Sequence, residues 1–429
     1  MALVATGCSS EQAAPASSTL PAVGPPNVVR VALADFHWPL DPALAAGRDE
    51  LTLARALYST PLRTDPSTGG VLPGLCTAWR ASPDFRRWTF TCRSAAPIAA
   101  ALRRVKRLED APARRLFADA VVAAPSATTL VVNLPYRWRR FPYALTVVGA
   151  APRFVPGPFE LLSGTPRLVV VKGQGTTVQF RRLAPLAAVR EFRRGALDEA
   201  PVPLGDLVAS KADPQLGPSV RARTLLGLDV VDITGYSERF RRVYWQTADR
   251  GDYEQLITEL DGSSASGFLG GEKPDPAAFR RAVDAIPTLP RLSVPFAVPT
   301  DRTLRYGARL LYAQWRDVGL GPRLVSGPRA RSAAGIRRAL AAYPQQEALF
   351  AEIVPGDSRA AFLRALGAAE QRTDLESLDE ELRARASLIP VVWVVDARLV
   401  SPRLEGWRED VLGNVDYSGV RSLASSRRP

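Results

Sequence analysis

The stretch Leu388-Ile389-Pro390-Val391-Val392-Trp393-Val394-Val395-Asp396-Ala397-Arg398-Leu399-Val400 decides how this chain is read. From Val391 to Val395 every residue is apolar and all but Trp393 are β-branched, with no polar residue alternating between them. That pattern belongs to a strand buried on both faces, at the centre of an α/β layer. Fully burying each valine contributes roughly 1.5–3 kcal/mol, so such a run anchors a core. Upstream, Leu375, Leu378 and Leu382 recur at helical spacing, with Glu376, Glu380 and Glu381 between them. This predicts a helix over Thr373 to Ser387, closed by Pro390. The strand comes late in the chain, so it returns to a domain begun earlier.

Length and composition narrow the classes. The 429 residues are enough for about three domains' worth of chain. With 46% hydrophobic and 23% charged residues the composition is globular. Of the 56 basic residues only four are Lys, and the arginines are scattered among acids, their densest groups being Arg137, Arg139, Arg140 and Arg190, Arg193, Arg194. The net charge of +13 therefore reads as genome composition, comfortable beside an anionic membrane, and not as a nucleic-acid footprint. A single histidine, His37, and three cysteines leave no zinc site and no Ser-His-Asp or Cys-His arrangement. No phosphate loop occurs either, since Lys172-Gly173-Gln174-Gly175-Thr176-Thr177 reads as a glycine hairpin between Leu168–Val171 and Thr177–Phe180. The reading calls for no enzyme, no cofactor and no metal.

Near the start, Ala5-Thr6-Gly7-Cys8 fits a lipoprotein cleavage box with Cys8 as the lipidated residue, and Ser9 to Pro26 reads as a Ser/Ala/Pro tether. Only seven residues precede Cys8, too few for a leader, so either the start lies further upstream or Cys8 is an ordinary surface cysteine. The folded part begins at Val28–Leu33, a strand, followed by Arg48 to Leu57 with helical spacing. Two alternating strands then flank the Ser82-Pro83-Asp84 turn, and in one register Cys76 lies opposite Cys92. Those two cysteines are either a disulfide or two buried thiols. A disulfide closing about 15 residues would stabilise by roughly 3 kcal/mol.

The ordered blocks Leu40-Asp41-Pro42, Asp65-Pro66-Ser67-Thr68-Gly69, Val71-Leu72-Pro73-Gly74-Leu75, Trp79 to Asp84 and Trp88-Thr89-Phe90 resemble the extracytoplasmic solute-binding proteins of peptide- and nickel-type ABC importers. Later blocks continue in the same order: Val121 to Leu134, Gly157-Pro158-Phe159, Phe192 to Asp198, Arg241 to Arg250, and Ile389 to Trp393 with Ala397 to Val400 and Gly406. The resemblance covers roughly 28–420. It implies a two-lobed periplasmic-binding-protein-like α/β fold (class II) with an extra small domain on lobe I. The expected division is 1–27 as truncated signal and linker, 28–48, 150–228 and 398–429 as lobe I, 49–149 as the small domain, and 229–397 as lobe II.

By that resemblance the protein is an extracytoplasmic, lipid-anchored, monomeric receptor. It would capture a peptide or other small molecule between its lobes and hand it to ABC permease subunits. Candidate ligand contacts carried over by position are Phe36, His37 and Trp38 with Gly47, Arg48 and Asp49 on one side. On the other side they are Glu352 and Asp357, within the Ala348–Ser358 segment that stands where relatives carry a strand and an acidic loop. The aromatic residues serve either ligand or packing, and the acids either anchor a ligand amine or are solvated loop charges. That segment lacks the relatives' Trp and Asp-Pro, which leaves a second reading open: a scaffold of the cell envelope that keeps the fold without transport.

Overall fold

The computed structural model describes residues 27–423 apart from 66–67, 154, 271–275, 289–293 and 327–333; Cys8 and the tether lie outside the described residues. The chain opens with β1 (Asn27–Leu33) and α1 (Gly47–Leu57). The short pair β2 (Leu62–Thr64) and β3 (Val71–Pro73) leads to β4 (Cys76–Ala81), β5 (Arg87–Cys92), α2 (Ala95–Arg107), α3 (Arg114–Phe117), β6 (Val121–Ala123), β7 (Thr129–Asn133) and α4 (Phe141–Ala144). Strands β4-β5-β7-β6 form a separate four-stranded sheet covered by α2. Cys76 pairs with Cys92 across β4 and β5 and carries a disulfide.

The chain then returns through β8 (Glu160–Gly164), β9 (Leu168–Lys172), β10 (Thr176–Arg182), α5 (Pro185–Arg193), β11 (Glu199–Pro201), α6 (Leu207–Ala212) and β12 (Val220–Asp232). Gly175 takes φ 79° in the hairpin between β9 and β10, a backbone conformation that favours glycine. Next come α7 (Glu238–Thr247), α8 (Arg250–Tyr253), α9 (Pro276–Ala285), β13 (Val294–Ala297), α10 (Arg302–Asp317), β14 (Pro322–Val325) and β15 (Ala334–Leu340). The last elements are α11 (Gln346–Ile353), α12 (Arg359–Gly367), α13 (Gln371–Arg385), β16 (Leu388–Val400), β17 (Leu404–Glu405) and β18 (Arg421–Ser422).

Ten strands make one sheet in the order β14-β13-β15-β12-β16-β11-β1-β10-β9-β8, and β16 is central. Its side chains reach every hydrophobic cluster of the molecule. Leu388 joins the α11–α13 layer, while Ile389, Val391 and Val392 join the layer of α7, α8 and α10. Ala397 and Leu399 pack with α5 and α6, and Val400 packs with α1, β1 and β10. The continuous apolar run is therefore required by position: both faces of this strand are packed, and only Trp393 and Asp396 keep partial exposure. Strands β12 and β16, each 13 residues long and antiparallel, run side by side and join the two halves of the sheet.

Two boundaries differ from the sequence reading. Pro390 does not close the helix. Instead α13 ends at Arg385, with Ala386 in the left-handed region at φ 49°, and Pro390 lies inside β16. It pairs with Val230 where the ladder slips by one residue, as expected of a residue that cannot donate to its neighbour. Residues 49–57, assigned above to the small domain, are the body of α1, whose Leu53, Ala54 and Ala56 pack with β1 and β10.

Candidate interlobe site

Between Thr224 and Leu228 the pairing of β12 with β16 is interrupted, so that Leu225, Leu226 and Gly227 bulge away from Val394. Gly227 is required here, since a Cβ would stand 2.6 Å from Leu340 Cδ2 and 2.9 Å from the Ala339 carbonyl oxygen. The freed backbone is satisfied elsewhere: Leu226 donates to the Val411 carbonyl and accepts from Ala341. Beside this bulge opens a cavity of about 720 Å³. Leu226 and Leu269 form its apolar wall, Val411 enters from the C-terminal segment, Arg140 from the loop before α4, and Gln371 and Leu375 from α13.

The turn from β15 into α11 supplies Gln345, Gln346 and Glu347. Glu347 is 1% exposed, and neither carboxylate oxygen has a hydrogen-bond partner. Arg140 Nη1 is 3.9 Å away and spends its closer contact, 2.6 Å, on Gln345 Oε1. Burial pushes the Glu347 carboxyl up to about 7, with Arg140 and the neighbouring Gln371 amide only partly countering it. Gln371 Nε2 is itself buried without a partner, as is the hydroxyl of Tyr343, whose ring stacks on Tyr143 at 5.9 Å. An acceptor and two donors left unmet in one interior region are costly unless a further group meets them.

The residues singled out from sequence fall elsewhere. Phe36 is fully buried in the α1–β1–β10 cluster, and Trp38 packs against the same cluster beneath Gly164. His37 is exposed and bonds Glu50 through Nδ1 at 2.6 Å, an interaction that raises its pKa. Asp49 accepts from the backbone N–H groups of Ala34 and Asp35, and Arg48 is tied to Asp396 and Glu409. Glu352 is half-buried in α11, and Asp357 is exposed and paired with Arg385 at 2.8 Å. None of these residues lines the interlobe cavity. The strand expected within Ala348–Ser358 is instead β15, about ten residues earlier, and Ala348–Ile353 is helix. A short apolar run is ambiguous between the two. The alternation of Ala334 and Ile336 and the break at Tyr343-Pro344 were the signals for a strand ending ahead of Glu347.

No family model and no curated relative matches the sequence. Solved structures do. The Haemophilus influenzae OppA structure in complex with the peptide RPPGFSPFR superposes with a TM-score of 0.77 at 14% identity, over 93% of this chain and 99% of that one. The chain has the two-lobed solute-binding-protein fold. The Escherichia coli murein tripeptide binding protein MppA matches at TM-score 0.75 and 15% identity, covering 93% of this chain and 99% of its own. The dipeptide binding protein of Pseudoalteromonas sp. SM9913 in complex with Met-Leu matches at 0.75 and 12%, covering 92% and 100%. Among the described residues of this two-lobed chain no helix is long and apolar enough to cross a membrane, and no group of three or more His, Cys, Asp or Glu could hold a metal.

Proposed function

We propose that this protein is an extracytoplasmic solute-binding protein that captures a small, amine-bearing solute, peptide-like in chemistry, between its lobes for an ABC importer. The observation that carries this reading is Glu347, an acid 1% exposed on the wall of a 720 Å³ cavity, with Gln371 unpartnered beside it. An ammonium group arriving there gives the carboxylate a closer opposite charge than Arg140 at 3.9 Å, and offsets the desolvation that burial imposes. The volume suits a ligand of drug or short-peptide size. The ligands of the matched structures, a nonapeptide and Met-Leu, belong to the same chemistry. Lipidation at Cys8, a membrane-side location and delivery to a permease complete the proposal.

A thermal-shift screen against di- to pentapeptides tests it. At a free concentration 100 times the dissociation constant, a ligand stabilises by about 2.7 kcal/mol, and Glu347→Gln should abolish that shift. Silence with peptides, nickel complexes and sugars alike would sink the receptor reading. A second reading, an envelope scaffold that keeps the fold, has its own observation. The small-domain side chains Leu116, Phe117 and Trp138 share one apolar cluster with Phe350, Ile353 and Leu366, and Arg139 N–H donates to the Leu366 carbonyl. A receptor must open that contact. Small-angle scattering with and without ligand separates the two, since a scaffold's dimensions stay constant.

A further inference from the structure

A second cavity of about 530 Å³ lies away from the interlobe site, where the end of α1, the β2–β3 pair and the C-terminal segment meet. Its walls are held close by two glycines. A Cβ at Gly74 would stand 2.6 Å from the Thr60 carbonyl oxygen, and one at Gly157 2.6 Å from that of Ala56. Four arginines line it: Arg55 from the last turn of α1, and the exposed Arg63, Arg93 and Arg408. Among the described residues no carboxylate lies within ion-pair distance of Arg55, Arg93 or Arg408, and Arg55 Nε is buried without a hydrogen-bond partner. The cavity's two acids attract Arg55 from beyond ion-pair distance and so offset only part of its burial, their oxygens being held by neutral donors. Asp410 accepts from the backbone of Leu412 and Asn414, and Asp416 from the backbone and hydroxyl of Ser418. Leu75, Phe159 and Val415 give the remaining wall an apolar face.

We infer that this cavity is a separate ligand site for a small organic anion. Its carboxylate or phosphate group meets Arg55, and its apolar body lies on Leu75, Phe159 and Val415. A desolvated guanidinium with an empty donor is costly alone and binds strongly once a charged acceptor reaches it. The outer arginines add long-range attraction and make association salt-dependent. The inference stands on these residues and not on Glu347, so either site can fail without the other.

Calorimetric titration of the full chain with phenyl phosphate, benzoate and inorganic phosphate tests it. Saturable one-to-one binding of at least one of the two aromatic anions is expected, with inorganic phosphate weaker. Arg55→Gln should weaken binding about tenfold or more, as loss of a buried charge-assisted hydrogen bond does. The surface variants Arg93→Gln and Arg408→Gln, which leave the core untouched, should each weaken it severalfold and flatten its salt dependence. Glu347→Gln should leave it unchanged. The inference is overturned if none of the three anions gives saturable heat at millimolar concentration, if Arg93→Gln and Arg408→Gln have no effect, or if Glu347→Gln abolishes binding. Inorganic phosphate binding as tightly as phenyl phosphate would overturn the organic-ligand assignment.

Discussion

Where β11, β16 and α1 meet, Glu199 and Arg398 are 1% and 2% exposed and face each other as an ion pair. Asp396 lies 3.0 Å from Arg398 Nε and 3.2 Å from Arg48, which also reaches Glu409 at 3.1 Å. Trp407 and Tyr417 donate to Glu199 at 2.7 and 2.8 Å. In α11, Glu347 is as deeply buried as Glu199 and has only Arg140 at 3.9 Å. The first group buries charge with its counter-charge supplied from within the chain, which makes it a structural joint between strands. The second buries charge against one distant, half-exposed cation, which is the reason it is proposed above to meet a group from outside. Depth of burial is equal; the distance to the counter-charge is what differs.

The largest expected effect breaks the joint. Arg398→Met leaves Glu199 and Asp396 buried without their central cation, and should destabilise the protein by about 3–5 kcal/mol in denaturant melts. A loss under about 1 kcal/mol would mean the cluster does not hold the strands together.

The pH dependence of Glu347 comes next. Its carboxyl titrates at 4.5 ordinarily and near 7 when folded. Below both values the two states are equally protonated and no penalty exists. Between them the unfolded chain ionises first, so stability falls as pH rises, by a total on the order of 3 kcal/mol, and is constant above. Melting wild type and Glu347→Gln from pH 4 to 8 should show the variant flatter through that window and more stable at pH 8. Parallel curves would remove Glu347 from the unpaired class.

Smaller effects sharpen the contrast. Arg140 is half exposed, so Arg140→Gln should change neutral-pH stability by less than about 1 kcal/mol. It should, however, move the midpoint of the Glu347 slope upward, because its cation holds that carboxyl down. Asp396 is pushed well above the usual carboxylate range by burial, against the pull of Arg48, with the neighbouring Glu409 carboxyl raising it further. Asp396→Asn keeps a donor to Glu409 and should cost least, within about 1 kcal/mol at neutral pH by the same melts. A cost approaching that of Arg398→Met would mean Asp396 is ionised in the fold.

The β-branched run at 391–395 identified the central strand because burial on both faces leaves its mark in composition, and alternation marked β9, β10 and the Cys76–Cys92 pair of strands. The site was far less legible. Phe36, Trp38, Arg48 and Asp49 carry the residue types of a binding loop, yet each already has partners within the fold: the α1–β1–β10 cluster for the aromatics, residues 396–413 for Arg48, and the N–H groups of Ala34 and Asp35 for Asp49. Glu347 reads in the sequence like any first-turn helix acid, a position where the helix dipole favours the charge. Its burial arises from α13 and the small domain closing over it.

The sequence by itself determined the interleaved helices and strands and the strand at the centre, because hydrophobic periodicity is a local property that survives in one dimension, while the two-lobed path was implied by the ordered blocks that resemble solute-binding proteins. Only the tertiary structure decided which buried charges have a close counter-charge and which do not. A carboxylate's role depends on whether a counter-charge lies within a few ångströms, and those neighbours come from residues about two hundred positions away: Arg398 for Glu199, and Arg140, too far to pair fully, for Glu347.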